Sequence, residues 1–244
     1  MSVGSAVEEQ RERRERRLAA WVLLAGAALA VVGNGLHPII PPDVGTQAFL
    51  EAVAATDFWV AIHLVVAASV ALLVAGIVLV ARWLGGTAGG PLGWLAATLA
   101  LIGGVIFMVA AGGIDGVVMA SLADQMAVTE HPELVLATAE AFLALDFALL
   151  GLGVALLLGG AYLALGLALQ RADVTAAWIR WTAVIVGGAG IVVGVLQFLG
   201  VAEAVALYAF RAVALLATVI AIAIGVQLLR GTAVLPHDRP TQRA

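Results

Sequence analysis

Six long apolar runs follow one another along this chain, and each is long enough to cross the hydrocarbon core of a membrane. A spanning helix needs about 20 mostly apolar residues, and a helix satisfies its own backbone hydrogen bonds in lipid. The runs show no alternation with a period of two, so they indicate helices and not the strands of a membrane barrel. The sequence therefore predicts an all-α membrane protein, a six-transmembrane-helix bundle. We place its spans at residues 18–36, 58–81, 92–114, 141–169, 181–200 and 205–229.

The composition supports this fold class and excludes several chemistries. Of the 244 residues, 63% are hydrophobic and only 11% are charged, which is more apolar surface than a soluble domain of this length can bury. Cysteine is absent, which excludes disulfides, thiolate metal ligands, iron–sulfur clusters and covalently attached haem. Lysine is absent too, since all 12 basic residues are arginine, and this excludes Schiff-base chemistry.

The chain divides into a charged tail, one membrane domain and a second polar tail. Residues 1–17 form the first tail, residues 18–229 the single six-span domain, and residues 230–244 a tail that we expect to be disordered. The first run is a retained span and not a cleaved signal peptide, because it is long and Pro38 ends it. Residues 46–56 predict a short amphipathic helix that lies on the extracytoplasmic side.

Arginine and carboxylate side chains segregate to opposite sides of the predicted bundle. If the chain crosses the membrane six times, every arginine except Arg211 falls on one side, which the positive-inside rule identifies as the cytoplasm. We therefore expect a multi-pass protein of the cytoplasmic (inner) membrane with both termini inside. The other side should be anionic and attract cations or a basic partner. Its carboxylates are Asp43, Glu51, Asp57, Asp115, Asp124, Glu130, Glu133, Glu140, Asp146 and Glu203.

Polar side chains inside the spans gather in the half of the bundle that is next to this anionic side. A charged group within a span costs about 2.5–3.5 kcal/mol, so it is usually paired or functional. Asp146 and Arg211 lie at matched predicted depths, and we expect an intramembrane ion pair between them. The other candidates for binding a solute or an ion are Asp115, His63, Tyr208, Gln197 and Asn34.

Two histidines are candidate ligands for a redox or metal centre. His37 follows span one and His63 lies near the start of span two, and together they suit haem b or a divalent metal. No histidine-spacing motif accompanies them, so the leading expectation is a protein without a cofactor. Motifs of serine hydrolases, intramembrane aspartyl proteases, phosphate loops and dinucleotide sites are also absent. The sequence favours a protein that is not an enzyme.

Four short stretches, GNGLHP, DFWVAIH, GGIDG and AAWIRW, resemble segments of a broad group of uncharacterised multi-span membrane proteins of bacteria and archaea. This group is known only as domains of unknown function. The resemblance extends from span one through span five, and it implies a membrane bundle without implying an activity or a ligand. The first three stretches contain His37, His63 and Asp115.

Three functional hypotheses follow from these patterns. The first is a polytopic protein that binds or translocates a small solute or ion through a polar site in its outer half. The second is a non-catalytic subunit or assembly partner of a larger membrane complex, with glycine-rich faces that pack against a partner or a second copy. The third is a haem- or metal-binding redox protein. The lipid bilayer is an expected partner in each, and nucleic acid is not, because glutamates interleave the arginines of the first tail.

Overall fold

The computed structural model describes residues 3–41, 44–201 and 203–231, and the regular elements of these segments are all helical. Six of its seven helices are long and apolar enough to cross a membrane, which confirms the predicted all-α six-span bundle. The seventh is the short amphipathic helix predicted after span one, and it buries Leu50 and Val53. The helices are α1 (Val3–Leu36), α2 (Gly45–Ala54), α3 (Trp59–Trp83), α4 (Gly90–Met126), α5 (Pro132–Ala172), α6 (Ala177–Phe198) and α7 (Glu203–Arg230).

Short connections join the long helices, so that successive helices run antiparallel and their ends gather on two sides of the bundle. We call the side that holds Leu36, Trp59 and Met126 the acidic side, because the predicted carboxylate-rich connections lie there. The side that holds Trp83 and Arg230 is the arginine side. The predicted cytoplasmic location of the arginine side stays a prediction. Asp43 and the tail from residue 232 onward lie outside the described residues.

Three helices extend well beyond the spans that the sequence predicted, and one of them is α1, which begins at Val3 and not at residue 18. The α4 helix continues past residue 114 to Met126, and α5 begins at Pro132 and not at residue 141. Polar residues at these helix ends shorten the apolar run without ending the helix, and proline is well suited to the first helical turn. The α4 and α5 helices also contain π-helical segments, at Met108–Val118 in α4 and at Ala155–Ala161 in α5.

Small residues let the helices of this chain approach one another closely. A Cβ atom added to Gly76 of α3 would lie 2.5 Å from Cδ2 of Leu23 on α1. A Cβ atom added to Gly151 of α5 would lie 2.5 Å from the backbone nitrogen of Phe198 on α6. These glycines therefore pack against neighbouring helices of the same chain.

A second, smaller apolar cluster covers the acidic side. It joins α2 to the ends of α3, α4 and α5 through buried side chains that include Leu50, Trp59, Ile114 and Met119. This packing holds α2 and the segment before it against the bundle.

Candidate functional site

Three side chains from three separate helices meet at the acidic side of the bundle. His37 directly follows α1, His63 lies one turn into α3, and Asp115 lies in the π-helical segment of α4. Nε2 of His63 is 3.2 Å from Nε2 of His37 and 3.1 Å from Oδ2 of Asp115. The remaining separation, from Nε2 of His37 to Oδ2 of Asp115, is 3.9 Å. We call these three residues the His–Asp cluster, and their donor atoms are close enough together to hold one metal ion.

Two glycines bring the three helices close enough for this cluster to form. A Cβ atom on Gly116 would lie 2.6 Å from Cβ of His63, a distance that real Cβ atoms essentially never show. A Cβ atom on Gly33 would lie 2.9 Å from Cγ2 of Val66. The α4 and α1 helices can therefore reach α3 only because these positions lack side chains.

Backbone carbonyl groups fix both imidazole rings. Nδ1 of His63 lies 2.8 Å from the carbonyl oxygen of Trp59, and Nδ1 of His37 lies 2.9 Å from that of Pro38. A carbonyl oxygen can only accept a hydrogen bond, so Nδ1 carries the proton in each ring. In the neutral form of each ring, Nε2 then presents a lone pair to the other members of the cluster.

Trp59 fixes the position of the third member. Its indole Nε1 donates a hydrogen bond of 2.7 Å to the backbone oxygen of Asp115, and its ring packs against both His37 and His63. The Oδ1 atom of Asp115 is buried and has no hydrogen-bond partner. One carboxylate oxygen thus faces the two histidines, and the other remains unsatisfied.

The cluster brings acceptor atoms together and needs a positive charge among them. Two imidazole lone pairs and a carboxylate oxygen repel one another unless a proton or a metal cation lies between them. Burial lowers the pKa of His37, but the attraction of Asp115 and the Pro38 carbonyl outweighs burial and raises this pKa above its ordinary value of 6.5. The environment therefore favours a cation at this point.

A cavity of about 340 Å³ opens beside the cluster. His37 and Asp115 form part of its wall, and Asp146 and Arg211 supply the other charged side chains of the lining. The rest of the wall is mainly apolar and comes from the segment before α2, from α2 itself, from α5 and from α7. Its larger apolar side chains are Ile40, Phe49, Leu143, Phe147, Leu150 and Leu207.

The ion pair predicted between Asp146 and Arg211 is not confirmed. Both side chains line the same cavity, as their expected proximity requires. However, Oδ1 of Asp146 has no hydrogen-bond partner, although only 6% of this residue is exposed. Asp146 also lies farther from the start of its helix than predicted, because α5 begins at Pro132. Asp146 therefore belongs to the cavity wall on α5, and one of its carboxyl oxygens is buried without a partner.

The other predicted binding residues lie outside the cavity lining. The side chain of Asn34 is directed back along α1, where its Nδ2 donates to the carbonyl oxygen of Ala30. Tyr208 is 57% exposed on α7. Gln197 is buried near the end of α6, and neither of its side-chain polar atoms has a partner. Of the predicted set, the structure brings together His37, His63, Asp115, Asp146 and Arg211.

The chain matches no protein-family model, and neither a curated protein nor a solved structure shows significant similarity to it. The predicted resemblance to uncharacterised membrane proteins stays a prediction. Three of these stretches nevertheless come together in the structure, because GNGLHP, DFWVAIH and GGIDG each contain one member of the His–Asp cluster. Sequence reasoning did not identify the role of Trp59 beside the cluster.

Proposed function

We propose that this polytopic membrane protein binds a divalent transition-metal ion through Nε2 of His37, Nε2 of His63 and the carboxylate of Asp115. The observation that carries the proposal is the convergence of these three donor atoms, with separations of 3.1, 3.2 and 3.9 Å. The two rings are held in the tautomer that a metal requires. Hydrogen bonds from the second ring nitrogen to carbonyl groups are the usual support of metal-bound histidine.

The separations agree with a single metal ion. Ligand atoms at about 2.0–2.1 Å from a tetrahedral zinc ion lie about 3.3 Å from one another, and those at right angles about 3.0 Å. Two of the three separations in the cluster fall close to these values, and the third needs a small movement of His37. A movement of this size is available to a residue that follows a helix end.

The donor set indicates which metals fit. Two imidazoles and one carboxylate suit zinc and divalent iron, whereas calcium and magnesium prefer oxygen donors alone. The same three donors leave coordination positions open, as in catalytic zinc sites and in non-haem iron sites. The cavity adjoins the proposed site, since His37 and Asp115 belong to its wall.

A single ion suits the two histidines better than haem b. An iron between two axial imidazoles would separate their nitrogens by about 4 Å and place a porphyrin between the rings. The nitrogens here are 3.2 Å apart, and the ring centres of His37 and His63 are 4.9 Å apart in an edge contact. Translocation of an ion and a role as a subunit of a larger complex stay predictions from the sequence.

Metal binding can be tested on the full chain in lipid nanodiscs. We expect purified protein to hold one zinc ion per chain by elemental analysis, and cobalt to give the visible absorption of a low-coordinate site. Asp115→Asn and His63→Asn remove a ligand each with little change in shape, and each should weaken zinc binding at least tenfold. His131→Asn is the matched control, because His131 is 70% exposed and lies away from the cluster.

The result that would overturn the proposal is zinc binding that Asp115→Asn and His63→Asn leave unchanged. Absence of zinc binding in the unaltered chain would do the same and would identify a shared proton as the cation of the cluster. Folding of each variant is checked by size-exclusion chromatography and circular dichroism in the same nanodiscs.

A further inference from the structure

We propose that the cavity binds a small hydroxy acid, with its carboxylate on Arg211 and its hydroxyl group on Asp146. This inference rests on the proposed function for its balance of charge, because the metal would add two positive charges to the wall of the cavity. The two contacts themselves depend only on side chains that line the cavity. The ligand class follows from the charge, the unpartnered group and the shape of this space.

With a divalent ion bound at the His–Asp cluster, charge favours an anion in the cavity. With neutral histidines, a divalent ion and Arg211 outweigh the carboxylates of Asp115 and Asp146 by one unit of charge, even if both acids are ionised. An uncompensated charge is costly in a space with apolar walls. A guanidinium group suits a carboxylate in particular, because its planar fork can donate two parallel hydrogen bonds.

The unpartnered oxygen of Asp146 indicates a second polar contact. This side chain is 94% buried, as its 6% exposure implies, and its Oδ1 has no partner within the described part of the chain. A buried acceptor without a partner is unfavourable, and a ligand that donates a hydrogen bond to this carboxyl group would compensate it. Such a ligand needs a hydroxyl or similar donor near its carboxylate.

The volume and the lining of the cavity limit the part of the ligand that carries the carboxylate and the hydroxyl group. A volume of about 340 Å³ is near the lower end of the range for small-molecule sites. Phe49 of α2 and Phe147 of α5 both add apolar surface to the lining. A short hydrocarbon chain attached to a hydroxy acid satisfies both the polar groups and these walls. A water-soluble acid and a hydroxy fatty acid released from a lipid share this chemistry.

Calorimetric titration of the full chain in nanodiscs tests the assignment with three matched probes. These are 2-hydroxyhexanoate, hexanoate, which lacks the hydroxyl group, and hexane-1,2-diol, which lacks the carboxylate. We expect 2-hydroxyhexanoate to bind at least tenfold more tightly than either of the others. Empty nanodiscs supply the background of partition into lipid, and competition by 2-hydroxyhexadecanoate distinguishes a membrane-derived ligand from a water-soluble one.

Two variants assign the contacts. Arg211→Gln should weaken binding of both acids at least tenfold, and Asp146→Leu should abolish the preference for 2-hydroxyhexanoate over hexanoate. Arg230→Gln, at the arginine side, is the control for loss of a positive charge. Equal binding of the three probes, or acid binding that Arg211→Gln leaves unchanged, would overturn the inference.

The design separates this inference from the metal proposal, since each titration is run with zinc-loaded and with metal-free protein. Zinc binding without selective binding of the hydroxy acid would overturn the inference and leave the metal site intact. Selective, Arg211-dependent binding in a chain that holds no zinc would support the inference while the metal proposal fails.

Discussion

Nε2 of His37 lies 3.2 Å from Nε2 of His63, although the two residues are 26 positions apart in the sequence, with His37 directly after α1 and His63 on α3. Each ring is held in place by a carbonyl group on its other side. The contact is therefore built by the backbone of α3 and of the segment that follows α1, and it brings two lone pairs towards one carboxylate. A protein interior keeps such an arrangement only when a cation compensates it.

Gly116 should determine whether α4 approaches α3 closely enough for Asp115 to contact the two histidines. A Cβ atom here would meet Cβ of His63 at 2.6 Å, so Gly116→Ala must push the two helices apart. We expect a loss of about 1–3 kcal/mol in the free energy of unfolding, as for other overpacked sites. Zinc affinity should fall at least tenfold, which titration with a zinc-sensitive dye would measure.

Gly113 provides a matched control in the same π-helical segment. Nothing lies within 4 Å of a Cβ atom at this position, so Gly113→Ala introduces the same methyl group without a clash. Its stability should change by less than about 1 kcal/mol, with the alanine favoured by helix propensity. Equal effects of the two alanines on zinc affinity would contradict the steric account.

Trp59 should tune the site without touching the metal. Its Nε1 donates to the backbone oxygen of Asp115 over 2.7 Å, and Trp59→Phe removes this hydrogen bond while keeping an aromatic ring. Loss of a group that orients a metal ligand typically costs 10–100-fold in affinity, and we expect about tenfold here. Trp94→Phe, on the exposed surface of α4, is the control, and equal zinc affinities for the two variants would contradict this role.

The six spans and the membership of the cluster were predictable for different reasons. Long apolar runs identify the spans directly, because helices and closed barrels are the only structures that span a lipid bilayer. His37, His63 and Asp115 could be identified as candidates, since ionisable groups are rare in such runs. Their convergence could not be predicted, because it depends on helix order and on the close approaches at Gly33 and Gly116.

The ends of α4 and α5 could not be predicted from periodicity and hydropathy. Charged residues such as Asp124 and Glu133 reduced the apparent length of both spans, although a helix continues through them into the aqueous interface. The distance of Asp146 from the start of its helix was consequently underestimated, and its pairing with Arg211 was inferred from that distance. The π-helical segments carry no sequence signal beyond the small residues that accompany them.

The stability of the metal-free protein should depend on pH through His37. The neighbouring Asp115 raises the pKa of this residue above 6.5, although burial and the charge of Arg211 oppose the rise. A raised folded-state pKa means that protonated His37 stabilises the protein below about pH 6.5, and that this contribution disappears as the pH rises through the folded-state pKa. The melting temperature of metal-free protein should therefore fall from about pH 6 to about pH 8.

Zinc should reverse the sign of this dependence, because it binds neutral imidazole and competes with the proton. The stabilisation that zinc adds should grow over the same pH interval. His37→Gln should flatten both trends, and subtracting its pH profile removes the contribution of exposed groups such as His131. Identical profiles for His37→Gln and the unaltered chain would exclude His37 as the titrating group.

The orientation of the bundle can be tested directly because the chain contains no cysteine. Val128 is 84% exposed in the turn between α4 and α5, and Ala88 is exposed in the turn between α3 and α4. The positive-inside rule places the first turn outside the cell and the second inside. A membrane-impermeant maleimide added to intact cells should therefore label Val128→Cys and leave Ala88→Cys unlabelled, and both should react after lysis. The opposite pattern would place the His–Asp cluster and its cavity on the cytoplasmic side, where their metal and ligand would have to be supplied from within the cell.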